Sequence, residues 1–378
     1  MIYDVIVVGV GGMGSAACYQ LARRGQRVLG LEKFAIGHAM GSSHGLTRIL
    51  RLAYFEGEAY VPLVQRAREL WIETERLVGE PLFFEVGALD IAPAGDEIIV
   101  RAENSCLVHD LPYEILDRDT IERRFPALSL PAGHAGLHQP QSGFVASELA
   151  LATHVGLARR HGAQIHEHEP MLDWEPTASG GVRVRTAQGV YEAGRLVLSP
   201  GAWIGSLVPG LAPSARVIRQ SFGWFAPRRP DLLAPERLPV FTLKVDEGQV
   251  YGFPVWGHPG FKLGSEQYGK DVFDPDTPTR EPPPDRAALL EECVRRYVPA
   301  GAGPLMEHKA CLYTMMPDEH FVIDTLPGFE QVIIASPCSG HGYKFASAVG
   351  EILADLATSG RSRFDLSMFA LRRFAQFA

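Results

Sequence analysis

Asp4-Val5-Ile6-Val7-Val8-Gly9-Val10-Gly11-Gly12-Met13-Gly14 joins a β-branched apolar run to a glycine-rich turn, and a helix-like stretch from Ser15 to Arg24 follows at once. Gly25 ends that helix, and a second apolar strand, Arg27 to Leu31, finishes in Glu32. Strand, turn, helix and strand in this order make a βαβ unit suited to a dinucleotide. Gly9 permits the tight turn, Gly11 lets the backbone approach a pyrophosphate, Gly14 lets helix and strand pack closely, and the helix start stabilises the phosphate charge. Glu32, 18 residues after Gly14, is placed to accept hydrogen bonds from ribose hydroxyls and to repel a 2′-phosphate.

FAD and NAD share this signature, so the rest of the chain must separate them. The apolar stretch Gly194 to Leu198 runs into Ser199-Pro200-Gly201-Ala202-Trp203. A strand and small-residue turn that return to the nucleotide after a long excursion favour a flavoprotein.

The composition fits a folded soluble chain. Its 378 residues are 46% hydrophobic and 21% charged, and 36 Lys and Arg against 44 Asp and Glu leave a formal charge of −8. That modest acidity, without a basic block, argues against nucleic acid or an anionic membrane as main partner. No apolar run approaches the ~18 residues of a spanning helix. The first residues lack a basic secretory n-region, so a cytoplasmic location is expected. Cys18, Cys106, Cys293, Cys311 and Cys338 are widely separated and contain no CxxC pair, which indicates neither a disulfide framework nor a zinc site. Only six of the 36 basic residues are lysines, Lys33, Lys244, Lys262, Lys270, Lys309 and Lys344. Each has escaped a strong arginine bias.

The pattern predicts a mixed α/β fold of two discontinuous domains: a Rossmann-type nucleotide domain from residues 1–80, 146–215 and 306–378, and a β-rich substrate domain from 81–145 and 216–305. A helix is expected over Val61 to Glu80, then short strands at Leu82 to Val86 and Ala88 to Ala92 in an antiparallel sheet. Further strands are expected at Val250 to Pro254, Gly260 to Gly264 and Val332 to Ala335. A Pro- and Asp-rich loop, Asp274 to Asp285, precedes a helix over Arg286 to Tyr297, and a last helix runs from Phe345 to Ala357.

Three further blocks carry a family resemblance: Gly41-Ser42-Ser43-His44-Gly45-Leu46-Thr47-Arg48-Ile49-Leu50-Arg51; Cys311-Leu312-Tyr313-Thr314 with Pro317-Asp318-Glu319-His320-Phe321; and Ser339-Gly340-His341-Gly342-Tyr343-Lys344-Phe345. With the nucleotide motif they resemble the monomeric sarcosine oxidase and N-methyltryptophan oxidase family of FAD-dependent amine oxidases, through nearly the whole chain. The resemblance implies oxidation of a secondary amine to an imine, reoxidation by O2 to give H2O2, and release of formaldehyde from N-methyl substrates. It implies a monomer whose partners are O2 and a small secondary amino acid. The alternatives are a flavin dehydrogenase with another electron acceptor, and an oxidase of a cyclic or bulky substrate such as pipecolate or N-methyltryptophan.

Residue by residue, the resemblance implies an FAD site of Gly9, Gly11, Gly12, Met13, Gly14, Glu32, Lys33, Ser42, Ser43, Met171, Gly201, Trp203, Cys311, Gly340, His341, Gly342 and Lys344, with Cys311 covalently linked to the flavin. A thiolate must add to an electron-poor methylated ring, so cationic groups should stand near it; Lys309, two residues earlier, is one candidate. Lys262 matches the family lysine beside the flavin that promotes reaction with O2, where a fixed cation stabilises developing superoxide. His44, Thr47 and Arg48 match residues close to the flavin ring, and Tyr251 a tyrosine of the substrate pocket. Arg51 and Lys344 match the two cations that bind the substrate carboxylate. Glu266 stands where some sarcosine-oxidising members have a histidine. Lys244 and Lys270 read as surface residues. No metal is expected, because Asp318, Glu319, His320 and His341 lack a ligand spacing.

Overall fold

The computed structural model describes residues 2–266 and 272–377. Its first strand, β1 (Ile2–Val8), lies between β2 (Val28–Leu31) and the strand Val190–Leu198, parallel to both. Val5 and Val7 face one buried cluster and Ile6 and Val8 the opposite one. Both faces of β1 are therefore covered, which is why its sequence is continuously apolar instead of alternating. Each of these side chains contributes about 1.5–3 kcal/mol by leaving water.

The sheet runs Met171–Pro176, Val182–Thr186, Val190–Leu198, β1, β2 and Gln164–His166, and Phe329–Ser336 pairs in parallel with the end of Val190–Leu198. Helix α1 (Gly12–Ala22) begins three residues before the expected Ser15, directly in the glycine turn. It packs against the helices Ser147–Arg160 and Ala346–Ser359. The contact is close enough that a Cβ on Gly350 would lie 2.6 Å from the Ala16 backbone.

A second sheet runs Leu305–Met315, Arg216–Phe225, Phe261–Glu266, Gly248–Phe253, Val240–Val245, Ala88–Pro93, His134–Gln139 and Glu114–Asp117. It is antiparallel except where Val240–Val245 meets Ala88–Pro93 in parallel, a departure from the antiparallel expectation. These two strands come from segments far apart in sequence, so no hairpin constrains their direction. The strand Leu305–Met315 straddles the domain boundary drawn from sequence and pairs along its length with Arg216–Phe225. A small third sheet joins β3 (Thr47–Leu50), Gly143–Ala146 and Phe83–Phe84.

Among the other elements, the expected helix over Val61 to Glu80 spans Val61–Val78 and ends at Gly79, whose φ of 74° closes it in the left-handed conformation. The expected strand over Leu82 to Val86 shrinks to Phe83–Phe84. A helix, Glu97–His109, lies in the region read only as strands, and the Asp96 side chain caps it by accepting from the Ile98 amide at 3.0 Å. The late helices span Pro284–Tyr297 and Ala346–Ser359.

Candidate active site

One continuous cavity runs from the nucleotide loop to Lys344. Every expected cofactor residue lines it except Gly14, together with Thr47, Arg48, Arg51 and Tyr251; His44 and Lys262 lie behind the wall. The first sheet and α1 form one end, the loop between β2 and β3 the middle, and the second sheet the far end.

At the nucleotide end, Gly9 has φ +85° and a Cβ there would lie 2.5 Å from the Ser199 carbonyl oxygen. A Cβ on Gly14 would collide with the Gly9 carbonyl, so this glycine sets the approach of helix to strand and does not face the cavity. A Cβ on Gly11 would meet only Ser43 Oγ, at 3.5 Å, which leaves the cradle over the start of α1 open. Gly11 at the head of α1 has no capping side chain and the first turn carries no acidic residue; the Gly12 amide donates to Ser43 Oγ at 3.1 Å. Glu32 closes β2, its two oxygens accepting from the Val10 and Phe34 amides at 2.8 and 3.0 Å. A carboxylate has lone pairs left for ribose hydroxyls after two such bonds. An open cradle, a helix start free of acidic residues and the Glu32 carboxylate together fit FAD.

Lys33 does not stand idle beside Glu32. Its ammonium donates to Asp276 at 2.7 Å, and Trp203 Nε1 donates to the same carboxylate oxygen at 2.8 Å. Arg280, four residues further on, donates to the Met40 carbonyl at 3.0 Å. The Pro- and Asp-rich loop is thus clasped across the nucleotide end of the cavity.

In the middle, Arg48 is held by the carbonyls of Ser42, His44 and Thr47 at 2.6, 2.7 and 2.8 Å, and its guanidinium lies 3.7 Å from Cys311 Sγ. Ser42 Oγ donates to the Leu312 carbonyl at 2.6 Å and ties the loop to the strand that carries the cysteine. The cation beside the thiol is therefore Arg48. Lys309 is engaged elsewhere, 2.9 Å from Glu307.

Lys262 is 4% exposed and donates to Gly45 O at 2.6 Å, Thr47 Oγ1 at 3.1 Å and Thr47 O at 3.2 Å, with the Phe253 and Phe222 ring centres 4.6 and 4.8 Å away. Burial first, then Arg48, holds its ammonium well below the usual lysine range. Glu148 fixes the same loop by accepting from the Gly45 amide at 2.6 Å. Burial, Arg48 and Lys262 also push His44 down to about 3, so its imidazole is neutral; its buried Nε2 has no partner among the described residues.

At the far end Arg51 is more engaged than a carboxylate receptor needs to be. It donates to Glu56 at 2.5 Å and to the Ala53 carbonyl at 3.3 Å, and its Nε lies 3.8 Å from Asp90. Asp90, buried in the second sheet, accepts from Thr242 at 2.7 Å and Gln139 at 2.9 Å. Burial raises the Asp90 pKa, with Arg51 and Thr242 opposing. Burial opposes ionisation of Glu56 as well, yet Arg51, His341 and Lys344 hold it at about 2. Burial and Arg51 bring Lys344 down to about 7. Tyr251, Tyr313 and Glu266 complete this wall, and the Tyr313 hydroxyl lies 3.5 Å from Glu266.

Sequence reasoning named neither Glu56, Asp90, Glu148 nor Asp276. An aspartate inside the apolar strand Ala88–Pro93 is the one clear signal among them, because a buried carboxylate needs partners. Lys244 pairs with Asp96 at 2.6 Å, and Lys270 lies outside the described residues. Among the described residues no group of three or more His, Cys, Asp or Glu is placed to hold a metal ion.

The family model for FAD dependent oxidoreductases matches residues 4–356. The chain belongs to that family. Within these FAD dependent oxidoreductases it is 41% identical to the monomeric sarcosine oxidase of Streptomyces avermitilis, covering 99% of this chain and 98% of the relative. It is 37% identical to the N-methyl-L-tryptophan oxidase of Salmonella typhimurium, covering 100% of each. The open form of NikD, an unusual amino acid oxidase of nikkomycin biosynthesis, superposes with a TM-score of 0.85 at 27% identity, over 98% of this chain and 97% of that one. A glycine oxidase from Geobacillus kaustophilus shares the fold at a TM-score of 0.83 and 22% identity, over 99% of each chain. Among the described residues no helix is long and apolar enough to cross a membrane.

Proposed function

We propose that this FAD dependent oxidoreductase is an oxidase of secondary amino acids of the sarcosine type, monomeric and cytoplasmic, with its flavin covalently held by Cys311. It oxidises the amine to an imine, O2 is reduced to H2O2, and an N-methyl substrate loses formaldehyde on hydrolysis. The single observation behind this reading is the order of groups along one cavity: phosphate cradle, cysteine beside a guanidinium, then the cations Arg51 and Lys344. Bound FAD supplies the electron acceptor. Arg51 and Lys344 hold the substrate carboxylate, and Phe55, Tyr251 and Tyr313 exclude water around its amine. Arg48 donates to the Cys311 sulfur that would form the thioether. Lys262, anchored on Gly45 and Thr47 behind the cavity wall, acts electrostatically on oxygen's developing negative charge and offers no hydrogen bond of its own.

The relatives' names support the substrate class, both being oxidases of N-methyl amino acids. The test is anaerobic bleaching of the flavin by sarcosine, N-methyltryptophan, pipecolate and proline, followed by oxygen uptake with matched H2O2. A secondary amine that bleaches the flavin carries the proposal. Bleaching without oxygen uptake would turn the reading to a dehydrogenase with another acceptor.

A further inference from the structure

The proposed reaction consumes the amine as its free base, whereas amino acids arrive as ammonium zwitterions, so a proton must leave a buried chamber in each turnover. A hydrogen-bonded path out begins at Lys344. Its Nζ lies 3.4 Å from the Tyr54 hydroxyl, Tyr54 Oη is 2.7 Å from His341 Nδ1, and His341 Nε2 is 3.1 Å from the Glu319 carbonyl oxygen. A carbonyl only accepts, so Nε2 carries the hydrogen; Nδ1 of the neutral ring is then an acceptor and Tyr54 donates to it. A further acceptor near Tyr54, the His341 carbonyl, is more distant at 3.4 Å. Every donor therefore points outward. Lys344 and Tyr54 are 6% and 0% exposed, whereas Glu319 sits exposed on a turn with φ 58°.

We propose that Lys344, Tyr54 and His341 form a proton wire that carries the substrate's ammonium proton from the chamber to solvent at the Glu319 turn. The wire rests on the oxidase reading above. With Lys344 in its neutral form and Arg51 holding the carboxylate, the ammonium N–H bond breaks, its electron pair stays on the amine, and the Lys344 lone pair takes the proton. A proton then moves from Nζ to Tyr54 Oη as the tyrosine's own proton moves to Nδ1, and the imidazolium releases its Nε2 proton to water. No electrons change hands. The outward passage leaves the wire reversed, and rotation of the Tyr54 hydroxyl with exchange of the imidazole proton between its two nitrogens through solvent restores it.

The surroundings suit this use. Lys344 faces Arg51, Glu56, Asp90 and Glu266, and its value of about 7 lets it exchange a proton near neutrality. His341 faces Glu56, Lys344 and Arg51 and packs against the Phe321 and Tyr60 rings; burial holds it at about 4, so it passes a proton on and does not retain it.

The test compares wild-type and Tyr54→Phe holoenzymes in anaerobic bleaching by sarcosine, below and above the pKa of the substrate amine. The wire requires bleaching to slow about 100-fold at low pH and to approach the wild-type rate at high pH, where the free base enters. A uniform loss at every pH, or none, would overturn it. His341→Ala should show the same low-pH loss and recover with added imidazole; failure of that rescue also counts against the wire. Independently of turnover, 15N-histidine NMR of the holoenzyme, assigned with His341→Gln, should report the Nε2-protonated ring, and an Nδ1-protonated ring would refute the wire. If no secondary amine bleaches the wild type, the oxidase reading fails and this tautomer alone decides the wire.

Discussion

Cys311 has the Arg48 guanidinium 3.7 Å from its sulfur, and three backbone carbonyls lock that guanidinium in place. Wild-type protein precipitated by acid should therefore keep its yellow colour in the pellet, and Cys311→Ser should release FAD to the supernatant. Lys262 is as firmly held, by three oxygens. Lys262→Met should slow reoxidation of the reduced enzyme by O2 about 100- to 1,000-fold, the scale of one lost electrostatic donor, with far less effect on anaerobic reduction; stopped-flow absorbance separates the two. For Lys344 the sign follows from a value lowered to about 7. Its amine is charged below that pH and neutral above it, so a simple carboxylate such as acetate should bind more tightly below pH ~7 and progressively more weakly above it. Spectral titration of the flavin measures this, and Lys344→Met should flatten the pH dependence.

At the scale of elements, α1 meets β1 across a gap that only glycine permits. A Cβ on Gly14 would strike the Gly9 carbonyl and come within 2.8 Å of Ser199 Oγ. Gly14→Ala should cost about 1–3 kcal/mol of stability by overpacking and lower the FAD content, read by thermal unfolding and by the flavin-to-protein absorbance ratio. This junction was legible in the chain because glycine spacing and a β-branched run encode local geometry. The helix Glu97–His109 was less so, although Asp96 is an ordinary cap residue, because its apolar side chains are split between the core and solvent. The Arg51 ion pairs with Glu56 and Asp90 were not legible at all. Asp90 reaches Arg51 only because the second sheet brings distant strands together, and no local pattern reports which carboxylate will face which guanidinium.

For the molecule as a whole, the two large sheets meet around one cavity, and the loop that carries Asp276 closes its nucleotide end. Lys33 and Asp276 have side chains 42% and 60% exposed, so their pairing is screened by water and salt and is worth at most about 1 kcal/mol. In a Cys311→Ser background, Asp276→Ala should speed FAD release about fivefold, and raising the salt concentration should do the same to the parent. Flavin fluorescence follows both. Lys33 and Asp276 are 243 positions apart. At the usual pace of translation, roughly 5–20 residues per second, Asp276 leaves the ribosome about 12 to 50 seconds after Lys33, and after the glycines, Glu32 and Trp203 that line the nucleotide end. The latch is thus made after the strands and glycines on which it closes, and the adenosine half of the site takes shape before its entrance exists to be shut.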